Sequence, residues 1–580
     1  MKPTARLHSR ILRPRVFPTV FPSLLASVLP SLLPVLAALP LVACVGASAG
    51  TGFTDAPRPD ETEGTDSPGT RAHSAGTGSA PPPVVDGDPT DPSALPPGCD
   101  ASALPTQDAC TMHESLGVFV SSSLGNDPPP PPAPQSPKAG TRAAPFATLR
   151  AAIEVAAKTH RRVYACAETY AENLTVTSGV SIFGYFDCDK GWRVGSTFAT
   201  VFAPSSPAAT ATDITTPTRL EGIAIQAPRG IQLGESSISL IAVRSPALSL
   251  VGVQLQAGRG APGADGDDAV QLVQTGVIDG APSMTAAEAS ACIATFGAPS
   301  CTLRYGGGRG GVSQCSGMPN MNGGPGGKGG KAGQYEPDPN IHLVVEVSPS
   351  EAGFPALSTP QTAAGAAPIT PATAGANGAA GSDGASASTI GTFSETGYAP
   401  ADGKHGSNGA PGQGGGGGRA GRPPGVLATR WFGSSGSGGG AGGCPGLAGT
   451  AGRGGGASVA LLAIDSPMHI ESSNLFTDRG GAGGRGTVGS EPTAGGSPGA
   501  MIQTDPLTGG APGGRGGRAG VSGHGAGGPS IVIASHGAPP VVVSSTLTPA
   551  VGGPGQAAIR TSDRKIDVSI DGISAATHAF

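Results

Sequence analysis

Four ionisable residues lie within fourteen consecutive positions of the sequence: Asp465, His469, Glu471 and Asp478. On a strand, His469 and Glu471 would point to the same face, because side chains alternate along an extended chain. A paired acid and base could protonate and deprotonate a polysaccharide there. Any solvated strand also carries polar side chains outward, however, and the matching positions of the neighbouring repeats hold only Ser249, Val251, Val541 and Val543. We treat the four residues as a candidate site and expect no catalytic residue among them.

Cys44 has the most specific predicted chemistry. It ends the run Leu41-Val42-Ala43-Cys44, after an apolar stretch from about Val16 that follows five basic residues, Lys2, Arg6, Arg10, Arg13 and Arg15. This order is typical of a secretory signal peptide. The run resembles the lipobox of bacterial lipoproteins, in which the cysteine becomes the lipidated first residue of the mature protein. The alternatives are an ordinary cleaved signal and an uncleaved anchor, and the prolines in the stretch disfavour the anchor.

Export would set the charge and the partners of the mature chain. Removal of the signal peptide, residues 1–43, takes away five positive charges, so the formal net charge falls from −5 to −10 (−5 − 5). An acidic exported chain is not expected to bind nucleic acid, despite the Arg-Gly-Gly strings near Arg309 and Arg515.

Residues 44–98 hold few large apolar side chains and should form a disordered tether. The resemblance implies a membrane partner, reached through the lipid on Cys44.

Eight cysteines remain besides Cys44, and disulfides are their default state in an oxidising compartment. We expect the pairs Cys99–Cys110, Cys166–Cys188, Cys292–Cys301 and Cys315–Cys444, although eight cysteines allow about 105 pairings. The sequence contains no Cys-x-x-Cys or His-Glu-x-x-His motif. We therefore predict neither a metal site nor a cofactor.

The folded part opens with a series of short motifs. They are Gly117-Val-Phe-Val, Gly125-Asn-Asp, Gly140-Thr, Pro145-Phe-Ala-Thr-Leu, Val163-Tyr, Thr169-Tyr-Ala-Glu and Val180-Ser-Ile-Phe-Gly. From Thr148, the predicted N-cap, apolar residues recur at helical spacing. The order resembles the entry to right-handed parallel β-helix domains of the DUF1565 and pectate-lyase-like group. That resemblance implies an all-β fold in which this helix caps one end of a coiled solenoid.

Internal repeats favour the same fold independently of the family resemblance. Leu220-Glu-Gly-Ile-Ala-Ile-Gln-Ala-Pro-Arg-Gly returns as Leu250-Val-Gly-Val-Gln-Leu-Gln-Ala-Gly-Arg-Gly, and Ser237–Pro246 matches Ser458–Pro467 and, more loosely, 530–538. Self-similar units of 20–30 residues with alternating strands are typical of a solenoid. The expected β-helix segments are 99–257, 457–478 and 529–580.

Two glycine-rich insertions, 258–456 and 479–528, would separate these segments and hold most of the 97 glycines. Glycine occupies every third position in stretches such as 375–384 and 403–421. Two alternatives stay open: flexible loops, or extended polyproline II segments that pack side by side with glycine at the contacts. The composition resembles the glycine-rich regions called PGRS.

These features predict a non-catalytic surface lipoprotein of a Gram-negative bacterium, placed at the outer membrane because Val45 is not the aspartate that retains some lipoproteins at the inner one. Its expected role is structural or adhesive, in contact with polysaccharide, matrix or a surface protein. A polysaccharide lyase or glycoside hydrolase using the strand face of His469 and Glu471 is the alternative. A scaffold without any external ligand is a third possibility.

Overall fold

The computed structural model describes residues 95–127, 139–283, 307–316, 318–330, 372–420, 434–501 and 506–580. The predicted signal peptide 1–43, Cys44, nearly all of the tether, and the pair Cys292 and Cys301 lie outside the described residues.

The described chain is predominantly β-structure with one α-helix. Its elements up to the first glycine-rich insertion are β1 (Gly117–Val120), α1 (Leu149–Thr159), β2 (Arg162–Cys166), β3 (Thr169–Tyr170), β4 (Leu174–Val176), β5 (Ile182–Asp187), β6 (Arg193–Val194), β7 (Ala199–Phe202), β8 (Ala209–Thr212), β9 (Thr218–Glu221), β10 (Ile223–Gln226), β11 (Ser237–Val243), β12 (Leu248–Val251) and β13 (Gln254–Gln256). The later elements are β14 (Gln274–Thr275), β15 (Gln314–Cys315), β16 (Thr392–Ser394), β17 (Gly397–Ala399), β18 (Ser458–Ile464), β19 (His469–Glu471), β20 (Asn474–Phe476), β21 (Ser530–His536), β22 (Val541–Val543), β23 (Thr546–Thr548), β24 (Ile559–Arg560), β25 (Lys565–Ile566) and β26 (Ser574–Ala579).

Three long sheets organise these strands. The first sheet runs β1-β2-β5-β9-β12-β19-β22, the second β23-β20-β13-β10-β7-β3, and the third β26-β21-β18-β11-β8-β4. All pairs along these paths are parallel, and only the short β6 joins β5 in antiparallel fashion. From β8 onward the chain visits the third, first and second sheets in that order, four times in succession. We call one such visit a pass.

The repeats found in the sequence are the strands that pair. Leu220 of β9 lies beside Leu250 of β12, which lies beside Ile470 of β19. Ser237 pairs with Ser458, which pairs with Ser530. Equivalent residues therefore stack in register from one pass to the next. Their inward side chains form one buried cluster, which includes Leu220, Leu250 and Ile470.

Helix α1 begins where the sequence predicts it. The Thr148 hydroxyl accepts a hydrogen bond from the Ala151 N–H, and His160 ends the helix in the left-handed conformation at φ 53°. The four apolar positions with helical spacing are the buried ones: Leu149, Ala152, Ile153 and Ala156. They belong to the same buried cluster as Val118 of β1 and Val163 of β2.

Three disulfides join described residues, and they are three of the four pairs expected from the sequence. Cys99 bonds to Cys110, Cys166 to Cys188, and Cys315 to Cys444. The Cys166–Cys188 bridge links β2 to the residue that follows its neighbour β5. The Cys315–Cys444 bridge connects two parts of the first glycine-rich insertion across 129 residues.

The described parts of the glycine-rich insertions follow the ordered alternative. Gly375, Gly378 and Gly381 donate their N–H groups to the carbonyls of Pro512, Arg515 and Arg518. This spacing of three residues on both partners is the repeat of a polyproline II helix. Further contacts of this kind join 258–281, 307–311, 323–330, 372–387, 401–418, 434–456, 479–499 and 510–529. We call these segments together the glycine-rich bundle.

Residues 434–447 form the centre of the bundle and are all buried. In one turn, Gly439, Gly440 and Ala441 donate to the oxygens of Gly327, Ala511 and Ile278, and their own carbonyls accept from Gly311, Gly415 and Gly496. Three residues thus bond to six different segments. Every backbone polar group of the turn is satisfied, as burial away from water requires. The central segment has no solvent-facing position, which explains why eleven of its fourteen residues are Gly, Ser or Ala.

Close backbone approach explains the remaining glycine pattern. A Cβ atom added at Gly415 would lie 2.1 Å from the Ala511 oxygen, and one at Gly517 would lie 1.9 Å from the Ala379 oxygen. No real side chain tolerates such a distance from a backbone atom. Segments at the edge, such as 372–387, touch neighbours on one side and need glycine at only every third residue.

Two adjacent glycines test this packing. At Gly416 an added Cβ would come no closer than 3.4 Å to the Thr373 nitrogen. We expect Gly415→Ala to lower the free energy of unfolding by about 1–3 kcal/mol through overpacking. Gly416→Ala should change it by about 0.5 kcal/mol or less. Denaturant unfolding of the two variants measures the difference, and equal effects of both would contradict the close-contact explanation.

Amide exchange tests the hydrogen-bond repeat directly. In the edge segment 372–387, the Gly378 and Gly381 amides are bonded to neighbouring carbonyls, whereas the Asn377 and Ala380 amides have no hydrogen-bond acceptor among the described residues. We expect slow exchange at the two glycines and fast exchange at the other two, measured residue by residue by NMR. Uniformly fast exchange along the segment would instead indicate a flexible loop.

Candidate functional site

The polar cluster predicted from the sequence is only partly assembled. His469 and Glu471 are exposed on β19 and flank the buried Ile470, as the alternation predicts. In the first sheet, His469 lies between Ser249 and Val541, and Glu471 between Val251 and Val543. Neighbouring strands therefore add no acid or base beside either residue.

The two aspartates of the cluster occupy other places. Asp465 lies at the corner after β18 with φ 49°, and its Oδ1 is 3.5 Å from the Nδ1 of His536. Asp478 follows β20, a strand of the second sheet, and its Oδ1 accepts the N–H of Arg479 at 2.6 Å. Among the described residues, no group of three or more His, Cys, Asp or Glu side chains could hold a metal ion.

The predicted lack of catalysis at this face can be tested by assay. Purified protein incubated with uronate-containing and neutral glycans should release no product, because an isolated exposed His469–Glu471 pair lacks a partner to bind and orient a sugar. The double variant His469→Ala, Glu471→Ala serves as the control. Turnover by the wild type that the double variant loses would establish the enzyme alternative.

In the glycine-rich bundle, polar side chains accept hydrogen bonds from backbone N–H groups, a role that was not predicted from the sequence. Asn377, Asp383 and Ser386 of the edge segment accept the N–H groups of Arg515, Val521 and His524. Asp402, Asn408 and Asp265 do the same for Gly454, Ala448 and Arg485. The signal in the sequence is a short polar residue placed next to the glycine repeat. These side chains replace water at amides of the packed segments.

His524 is the one fully buried histidine of the described chain. Its Nδ1 accepts the N–H of Gly486 at 2.7 Å, which requires that this nitrogen carry no proton. Burial lowers the pKa of His524, and the nearby Arg485 lowers it further. The neutral ring is therefore part of the bundle's packing.

Two surface clefts also contain ionisable groups. One, of about 440 Å³, is lined by Glu168, Asp187 and Lys190 among others. Burial opposes ionisation of Glu168, but hydrogen bonds from Ser121, Ser122 and Ser123 outweigh it and lower the pKa of this carboxyl. The other cleft, of about 570 Å³, lies in the bundle beside Leu233 and includes Asp265, Asp402 and Arg453. The carboxylates of Glu168, Asp187, Asp402 and Asp265 already accept hydrogen bonds within the chain.

Three arginines form a column that the sequence analysis did not recognise as a site. Arg229, Arg259 and Arg479 each follow the strand of the second sheet in successive passes, and all three are exposed. The Gly230 N–H donates to the Arg259 oxygen at 2.8 Å, and the Gly260 N–H to the Arg479 oxygen at 3.0 Å. The signal was present in the repeated Gln-Ala-x-Arg-Gly at 226–230 and 256–260.

No family model, curated protein or solved structure matches this chain. Within the described residues, no helix is both long and apolar enough to cross a membrane.

Proposed function

We propose that the protein is a non-catalytic lipoprotein of the bacterial envelope that displays a rigid glycine-rich module for contact with polysaccharide or matrix. The observation that carries this proposal is the hydrogen-bonded glycine-rich bundle. A segment such as 434–447, hydrogen-bonded to six neighbouring segments, is an ordered part of the fold and not a flexible loop between strands. Such a bundle can hold a large surface in a fixed shape with very few large side chains.

The finer fold proposed for the sheets is a right-handed parallel β-helix. The repeated visit to three parallel sheets in one order supports it, as does the stacking of equivalent residues from pass to pass. Helix α1 would close the end nearest β1, since its apolar face lies in the same cluster as Val118. The glycine-rich insertions leave after β13 and β20, at the same corner of successive passes.

The proposed location depends on Cys44. Its run Leu41-Val42-Ala43-Cys44 supports lipidation, and the acidic tether up to residue 98 would separate the folded part from the membrane. Three disulfides between described cysteines agree with an oxidising compartment. An outer-membrane location is the most specific form of this proposal.

Cell fractionation tests the anchor. Wild-type protein should be recovered with the membranes, and Cys44→Ser should be released, because a serine cannot be lipidated through sulfur. A conservative change in the tether, Ser48→Ala, serves as the matched control and should stay with the membranes. Recovery of Cys44→Ser in the membrane fraction at the wild-type level would refute a lipid anchor at this residue.

A further inference from the structure

We propose that Arg229, Arg259 and Arg479, with the outer face of the second sheet beside them, form a binding surface for an acidic polysaccharide. This inference rests on the proposed function and names the class of polymer that the module contacts. Equivalent residues of adjacent parallel strands are about 4.8 Å apart, so the three guanidinium groups extend from one straight line of backbone.

The glycine after each arginine holds the backbone of the column in close contact with a neighbouring segment. Each arginine precedes a glycine at which a Cβ atom would collide with the returning chain: 2.4 Å from the Glu235 oxygen at Gly230, 2.1 Å from the Gly456 oxygen at Gly260, and 1.9 Å from the Gly528 oxygen at Gly480. The corner is therefore closely packed on the glycine side. The arginine is the outward residue of that corner in three consecutive passes.

The charge of the column is not neutralised within the described part of the chain. No carboxylate there lies within 4.0 Å of these three guanidinium groups, whereas Arg219, Arg244 and Arg518 all have acidic partners. The nearest acids in sequence accept hydrogen bonds from backbone N–H groups: Asp478 from Arg479, Glu235 from Ile231 and Gln232, and Asp265 from Arg485. Three like charges held in a row, in a chain of net charge −5, favour a ligand with repeated negative charges.

The neighbouring face selects a sugar polymer over a nucleic acid. The outward positions of the second sheet next to the column carry the neutral amides Gln226, Gln254, Gln256 and Asn474. These amides have no hydrogen-bond partner among the described residues and can bond to sugar hydroxyls. Phe202, half exposed in the same row, offers an apolar face for a sugar ring. The column itself is too short and too weakly charged for the phosphate contacts on which nucleic-acid affinity depends.

The fourth pass shows where the column stops. The Gly480 N–H donates to the oxygen of Val551, so Val551 occupies the position that arginine holds in the three earlier passes. Its side chain is 56% exposed. Val551→Arg would therefore lengthen the column by one charge without disturbing the core.

Binding of the full-length protein to polygalacturonate, with neutral dextran as the reference polymer, tests the proposal. The triple variant Arg229→Ala, Arg259→Ala, Arg479→Ala should bind polygalacturonate about tenfold more weakly. The triple variant Arg150→Ala, Arg193→Ala, Arg560→Ala removes the same charge from other exposed positions and should bind like the wild type. Val551→Arg should bind roughly twofold more tightly, and added salt should weaken all binding.

The outcomes separate this surface from the broader function. If the wild type binds polygalacturonate and the two triple variants bind it equally well, the arginine column is wrong and the proposed function stands. If the wild type binds neither polymer, contact with polysaccharide fails as well. Tighter binding of oligo(dT) than of polygalacturonate, lost in the first triple variant, would assign the column to nucleic acid and overturn the proposal.

Discussion

Close contact between backbones is the constraint on which the glycine-rich half of this protein depends. Extended segments can form hydrogen bonds at every third residue only if no side chain larger than hydrogen stands at the contact. A Cβ atom added at Gly415, for example, would lie 2.1 Å from the Ala511 oxygen. Once that space is available, the N–H and C=O groups of one turn reach six neighbours. The bundle is held by backbone hydrogen bonds and needs little of the apolar burial that stabilises an ordinary core.

The two halves of the molecule use the same geometry in different ways. In the sheets, residues such as Leu250 and Ile470 stack because parallel strands repeat in register, and apolar side chains fill the interior. In the bundle, register is kept by glycine, and short polar residues such as Asn377 and Asp383 accept the amides that the repeat leaves open. The two insertions begin after β13 and β20, which pair with each other. The register of the second sheet therefore continues into the first residues of the bundle, where the Gly260 N–H donates to the Arg479 oxygen.

This arrangement places chemistry at corners and outer faces. Most inward positions in the sheets are apolar, and most positions in the centre of the bundle hold Gly, Ser or Ala. Charged side chains are thereby confined to places such as the arginine column, where successive passes bring Arg229, Arg259 and Arg479 into line. Contact with an extended repetitive polymer suits a surface whose own features repeat from pass to pass. A small ligand would need an enclosing set of convergent groups, which His469 and Glu471 do not supply.

The helix and the repeated strands follow from the sequence alone, because capping and alternation are local properties, and the short spacings of Cys99–Cys110 and Cys166–Cys188 indicated those two pairs. Cys315 and Cys444, which are 129 residues apart, were paired only as the cysteines that remained. The N-cap at Thr148 and the match between the segments that begin at Ser237 and Ser458 are both visible in the sequence alone. Glycine at every third residue indicated a contact surface as one of two alternatives but could not name its partners, since one glycine resembles another. The bond between Gly378 and Arg515 and the alignment of three distant arginines are visible only in the folded chain. Those relations join residues far apart in the chain, and they exist only after the intervening segments have packed.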